Sequence, residues 1–264
     1  MLGKLLKHEW IATAKVLLPL NIFLILVTLI GKVIITIFHG SISDSVSPVI
    51  VILLTLYILI LMALSVITGI YLVVRFYKNL FSNEGYLMFT LPVSTWSLLN
   101  SKLILSTFWC FITILNTIFS MFVLIGSALT KAGGNITYAK MDKAFYHEAE
   151  MHISTLLLLL CVFVIICSIQ SMLMIYASIA IGQLFEKHKI IAAVIAYVIF
   201  YFIIQIISFV VGMGSFYNVE IHNAKEFQTF MYELIPISVL FAVVLSIIYY
   251  VTTGIIMKKK IDLD

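Results

Sequence analysis

The densest ligand chemistry in the chain lies in the run H-E-A-E-M-H, which holds His147, Glu148, Glu150 and His152. Imidazoles and carboxylates are zinc ligands, and a zinc site needs three or four of them converging on one point. The spacing opposes this. Five residues of α-helix turn through about 140°, so His147 and His152 diverge and only Glu148 and His152 share a face. The run reads better as the solvated face of a mixed-charge helix than as a metal site. Other reactive patterns are missing. There is no G-x-x-x-x-G-K-[ST] phosphate loop, no G-x-S-x-G nucleophile elbow and no H-E-x-x-H. The chain is therefore not expected to be an enzyme. No catalytic, cofactor-binding or metal-binding residues are assigned, and hydrolysis of ATP by its own side chains is not expected. Cys110, Cys161 and Cys167 all lie in apolar runs and read as small buried hydrophobes rather than a disulfide framework.

The composition explains where such chemistry would have to sit. Of the 264 residues, 63% are hydrophobic and 11% charged, and the mean hydropathy is +1.18. Soluble domains are about 45–50% apolar and about 25% charged. A globule of this composition could not cover its surface in water, which excludes a soluble enzyme, a secreted disulfide scaffold and a disordered chain. An integral membrane protein remains. The net charge of +4, from 16 basic and 12 acidic residues, is too small to imply a nucleic-acid partner.

A spanning helix needs about 20 apolar residues. Six stretches qualify: about 16–38, 48–74, 103–129, 154–181, 190–211 and 236–257. They are continuous rather than alternating, which favours helices over barrel strands. The fold class is thus all-α, a single polytopic transmembrane domain over 1–264. The first run is too long for a cleaved leader and has no small-x-small site. Eleven basic residues fall on one side of this layout: Lys4, Lys7, Lys15, Arg75, Lys78, Lys102, Lys187, Lys189, Lys258, Lys259 and Lys260. By the positive-inside rule that side is the cytoplasm, and both termini are inside. None of the acids lies deep in a span, so no proton relay is visible. Lys32 lies in the first span near its outer end, where it can snorkel. Asn21, Asn116, Gln170 and Gln205 are expected to hydrogen-bond between helices, and Ser168, Ser171, Ser178 and Gly182 form a small-residue packing face.

Outside the spans, residues 1–15 place Leu2, Leu5, Leu6 and Trp10 near helical spacing against Lys4, Lys7, His8 and Lys15. An interfacial elbow helix is expected, acting either as a basic anchor or as a coupling element. The connection 75–102 is the most informative. Ser82 or Asn83 can cap a short helix with Glu84 in its first turn, and Pro92 ends it. Ser94 or Thr95 can cap the next helix. The short helix carries Tyr86, Leu87, Met88, Phe89 and Leu91, too apolar for water. It either docks on a partner or lies flat on lipid. The loop GQLFEKHK at 182–189 reads as a connector, with a second partner contact as the alternative. Two longer outer loops, 130–153 and 212–235, exceed what a connector needs.

The segment NEGYLMFTLPVSTWSLLNSKL, 83–103, resembles the first cytoplasmic loop of bacterial permeases in the second type of ATP-binding-cassette exporter. The matching residues are Glu84, Gly85, Tyr86 and Leu87, then Thr90, Leu91 and Pro92, then Ser94, Ser101 and Lys102. The amino-terminal LLKHEW is similar to the elbow of that family. The resemblance implies a multi-pass protein of the bacterial cytoplasmic membrane, with two permease copies paired with two copies of a separate ATPase subunit. That ATPase binds the ATP and magnesium, and no cofactor belongs to this chain. Glu84, Tyr86, Leu87, Phe89, Thr90 and Leu91 would dock as a coupling helix, with Gly85 and Pro92 shaping its backbone. Lys7, Glu9 and Trp10 would form a secondary contact. The spans, rich in Ile, Leu, Phe and Tyr, suit amphipathic or hydrophobic cargo. The family's peptide and toxin exporters, including those for phenol-soluble-modulin-type toxins and peptide immunity, point to peptides. Alternatives are drug or lipid cargo, a peptide sensor that moves nothing, or a membrane peptidase, the last disfavoured by the missing acids and paired histidines.

Overall fold

The structure, a computed structural model, describes residues 2–38, 47–81, 85, 93–131, 142, 143, 145, 146, 152–218 and 224–261. Six long α-helices run in chain order: α1 Leu2–Phe38, α2 Ser47–Phe81, α3 Thr95–Lys131, α4 Ile153–Gly182, α5 Lys189–Asn218 and α6 Ala224–Ile261. Each contains a stretch long and apolar enough to cross a membrane. By helix length and hydropathy this is a multi-pass, all-α membrane protein. Helices satisfy every backbone polar group within the segment, which hydrocarbon demands.

The helices outrun the apolar stretches that announce them. An elbow distinct from the first span was expected over 1–15, but α1 runs unbroken from Leu2 to Phe38. Leu, Lys and Ala dominate the first fifteen residues, and all favour helix. Pro19 lies inside α1 without ending it. Membrane helices tolerate proline because neighbouring groups re-satisfy the freed carbonyl. The outer loop expected over 212–235 is largely helix, because α5 continues to Asn218 and α6 begins at Ala224. Polar residues end a hydropathy window, but Lys225, Glu226, Gln228, Met231 and Glu233 are good helix formers. Pro236, expected at the start of the last span, is interior to α6.

The chain packs as two compact units, each joining separate stretches: Met1–Val74 with Phe108–Thr137, and Arg75–Thr107 with Tyr138–Asp264. In the first unit, Leu24, Tyr57, Leu61, Leu64 and Leu124 form a buried cluster, with Leu20, Val27 and Met121 against it. Trp10 stacks on Trp109 at 5.4 Å between ring centroids and meets Phe108 at 4.9 Å. In the second unit, Leu173, Met174, Ala177 and Tyr249 form the core, joined by Leu103, Phe200 and Leu245. Phe76 lies flat on Tyr176, with centroids 3.6 Å apart and planes 7° from parallel.

Glycine permits two close approaches in the second unit. A Cβ on Gly182 would stand 2.6 Å from both the Ala193 Cβ and the Lys189 carbonyl oxygen, so this position pinches the α4–α5 hairpin. Gly254 receives the Trp96 indole directly on its backbone. The expected small-residue face of α4 is partly realised. Ser168, Ser178 and Gly182 are buried, whereas Ser171 is exposed.

Candidate functional site

Two features bear on function: the roots of the connection between α2 and α3, and a ladder of polar side chains between helices of the first unit. Glu84, Tyr86, Leu87, Phe89, Thr90, Leu91 and Pro92 lie outside the described residues. Gly85 is described, and it is helical and buried. Its position explains its identity. A Cβ there would sit 2.5 Å from the Leu80 carbonyl oxygen and 2.8 Å from the Leu80 carbonyl carbon. Backbone cannot give way as a side-chain tip can, so only glycine fits so close to the end of α2.

Both roots of the connection are buried in the second unit. Phe76 and Leu80 hold the end of α2, and Leu98 and Leu99 hold the start of α3. Ser94 caps α3 as expected. Its hydroxyl accepts the Ser97 backbone N–H at 3.3 Å and lies 2.8 Å from the Ser97 hydroxyl. The Ser94 carbonyl accepts the Leu98 N–H at 3.2 Å. Further along α3, Ser101 and Lys102 are buried, and Lys102 has an interaction partner. Tyr250 on α6 donates to Asn100 Oδ1 at 2.8 Å and packs against Trp96, so the start of α3 is fixed beside the end of α6.

The proposed secondary contact divides. Lys7 is exposed, but Glu9 is buried and has a partner of its own. Trp10 keeps 40% of its surface and is otherwise covered by Phe108 and Trp109.

The polar ladder has three rungs. Trp109 Nε1 donates to Thr13 Oγ1 at 3.0 Å. Asn21 Nδ2 donates to Thr113 Oγ1 at 3.4 Å, and Asn116 Nδ2 donates to the Asn21 carbonyl at 3.0 Å and to Asn21 Oδ1 at 3.3 Å. At the third rung Thr28 Oγ1 lies 2.5 Å from Ser120 Oγ and 3.4 Å from Tyr57 Oη, and Tyr57 and Ser120 are also bonded. Thr28 donates its one proton to the Leu24 carbonyl at 2.8 Å and so only accepts within this triad, where Tyr57 and Ser120 have one proton each to share among the three contacts. The pairs Asn21–Thr113 and Thr28–Ser120 share one sequence offset, so α1 and α3 run parallel here. The pairs Thr28–Tyr57 and Ala12–Tyr71 progress in opposite senses, so α2 is antiparallel to α1. Polar groups in hydrocarbon find partners or cost several kcal/mol each, roughly. The ladder therefore fixes both partner and register.

The expected interhelical role of Asn21 and Asn116 is what the geometry displays. Gln205 is instead exposed on α5, and Lys32 is exposed on α1. Thr13, Thr28, Tyr57, Trp109, Thr113 and Ser120 lie outside the sequence expectations. For Thr28, Thr113 and Ser120 the available signal is a seven-residue repeat, 21 to 28 on α1 and 113 to 120 on α3, which returns to one helix face.

At the other end of the chain's chemistry, His147, Glu148 and Glu150 lie outside the described residues. Asp142 Oδ2 meets His152 Nδ1 at 2.9 Å, and Oδ1 accepts the Ile153 N–H at 2.9 Å. The carboxylate thus caps the first turn of α4 from a distance. Its pKa is lowered by the His152 hydrogen bond and next by the Ile153 amide. No group of three or more metal-ligating side chains gathers among the described residues. Comparison with family models, with curated proteins and with solved structures finds no match.

Proposed function

We propose that the chain is the permease subunit of an ATP-driven exporter of the ATP-binding-cassette type, coupled through 84–91 to a separate ATPase. The supporting observation is mechanical. The connection that carries Glu84, Tyr86, Leu87, Phe89 and Leu91 is rooted at buried residues of the second unit, Phe76 and Leu80 on one side and Leu98 and Leu99 on the other. In this reading a push on that connection is passed to α2 and α3. An apolar segment in that place suits a groove on a partner. In this reading two copies of the chain pair with two ATPase subunits, which bind ATP and magnesium at the cytoplasmic face of a bacterial cytoplasmic membrane. The chain itself hydrolyses nothing. Its apolar, aromatic spans line a path for amphipathic peptides.

The test is purification in mild detergent from the native membrane. An ATPase subunit co-purifies, and Tyr86→Asp with Leu87→Asp abolishes stimulation of its turnover while the helices still insert. Normal stimulation in that variant refutes the coupling role. Peptide binding without ATP-dependent movement would favour a sensor.

A further inference from the structure

We infer that the α4–α5 turn, Gln183 to His188, is a binding tip for anionic phospholipid, independent of any ATPase contact. The first observation is a pair of apolar side chains where no acyl chain is guaranteed. Leu184 and Phe185 follow the last residue of α4 and are 61% and 55% exposed. Exposed apolar residues along the spans face lipid tails, but these two lie in the turn. The turn has a definite shape. Gln183 donates to the Ile179 and Ala180 carbonyls, Leu184 to Ile181 at 3.0 Å, and Gly182 brings α4 against Ala193 of α5. The pair is therefore held outward by a pinched hairpin.

The depth of the tip follows from α5. Ile190 and Ile191 are 67% and 57% exposed, and Val194 and Ile195 continue that face. The hydrocarbon must reach Ile190 to cover them, only one residue past Lys189. The headgroup layer beyond it is about 5–7 Å thick on each side. A six-residue turn that doubles back rises less than about 10 Å, so its base lies in that layer and its apex at most a few ångströms beyond it. The charge selects the lipid. Lys187 and Lys189 follow a single acid, Glu186, and flank the exposed His188. Leu173 and Ala177 towards the end of α4 share a buried cluster with Tyr249 of α6, and exposed Lys258 and Lys259 follow on α6. An apolar pair with a basic surround fits a phospholipid phosphate above and its upper acyl carbons below.

Two measurements on the full chain test this. The first places a spin label at Phe185→Cys, with Cys110, Cys161 and Cys167 replaced by Ala, in vesicles of phosphatidylcholine with phosphatidylglycerol. Oxygen should relax the label more than a water-soluble nickel complex does. Dominant nickel access overturns the proposal, as does protection from both reagents, which would place the tip against protein. The second is native mass spectrometry of retained phosphatidylglycerol. Lys187→Gln and Lys189→Gln should each lower occupancy about fivefold, the factor for the contribution of one surface lysine on an anionic leaflet. Glu186→Gln should raise it, a sign that general destabilisation would not produce. Occupancy unchanged in all three variants refutes the lipid site.

Discussion

Replacing Asn116 by Leu tests whether the polar ladder fixes the pairing of α1 with α3. The substitution removes two interhelical bonds, at 3.0 Å to the Asn21 carbonyl and 3.3 Å to Asn21 Oδ1. Interhelical bonds in membrane bundles average about 0.6 kcal/mol and reach about 1.7. Asn116→Leu should therefore cost about 1–2 kcal/mol. Asn21→Leu removes the 3.4 Å bond to Thr113 and the Oδ1 acceptor but keeps the backbone carbonyl that Asn116 uses. Only the side-chain bond is lost in both single variants. The double-mutant cycle should accordingly give a coupling of about 0.5–1 kcal/mol, smaller than the Asn116→Leu effect itself. Reversible unfolding in detergent micelles, followed by circular dichroism or steric trapping, measures all three variants. Strict additivity, with a coupling of zero within error, refutes the reasoning and leaves these amides with partners other than each other.

Three further outcomes follow from local geometry. Gly254→Ala drives a methyl into the Trp96 indole and should destabilise the protein by about 1–3 kcal/mol, with thermal stability partly restored by Trp96→Leu. Ser94→Ala removes the cap of α3 and should cost about 1 kcal/mol, visible as faster amide exchange at Ser97, while Ser94→Asp should preserve protection. Asp142 is held below the ordinary carboxylate range in the folded state, so its contribution is present above the unfolded pKa and lost as pH falls through the lowered one. Exchange protection at Ile153 should thus persist through mildly acidic pH and fail only below the usual aspartate range. In Asp142→Asn that acid-dependent step should be absent.

The sequence made some of this legible and hid the rest for identifiable reasons. Six apolar stretches announced six helices, because hydrocarbon thickness sets a minimum run that few soluble helices reach. Helix ends were not announced. Glu226 and Gln228 end an apolar window but sustain helix, which is why the expected loop over 212–235 is mostly α5 and α6. The first helix likewise has no breaker between its basic turn and its span. Asn21 and Asn116 stood out as amides in apolar runs, and their pairing was expected in kind. Thr113, which accepts from Asn21, and the Thr28–Tyr57–Ser120 triad do not stand out, because hydroxyls barely lower hydropathy and pairing depends on which faces meet. Ser171 was misplaced for a related reason: it lies three residues from buried Ser168, yet it points outward. Asp142 could not be read as a helix cap, since it lies eleven residues before the amide that it accepts. The coupling residues are what the family resemblance implies, and of them Gly85 alone is described, where its need for glycine comes from the Leu80 backbone.

ATP-driven movement of cargo tests the central claim most directly. Inside-out vesicles carrying the chain and its co-purifying ATPase are supplied with a labelled amphipathic peptide and either ATP or a non-hydrolysable analogue. The account predicts accumulation of peptide inside the vesicles with ATP alone, abolished by Tyr86→Asp with Leu87→Asp. Equal peptide retention with ATP and with the analogue, or undiminished accumulation in that variant, would contradict it.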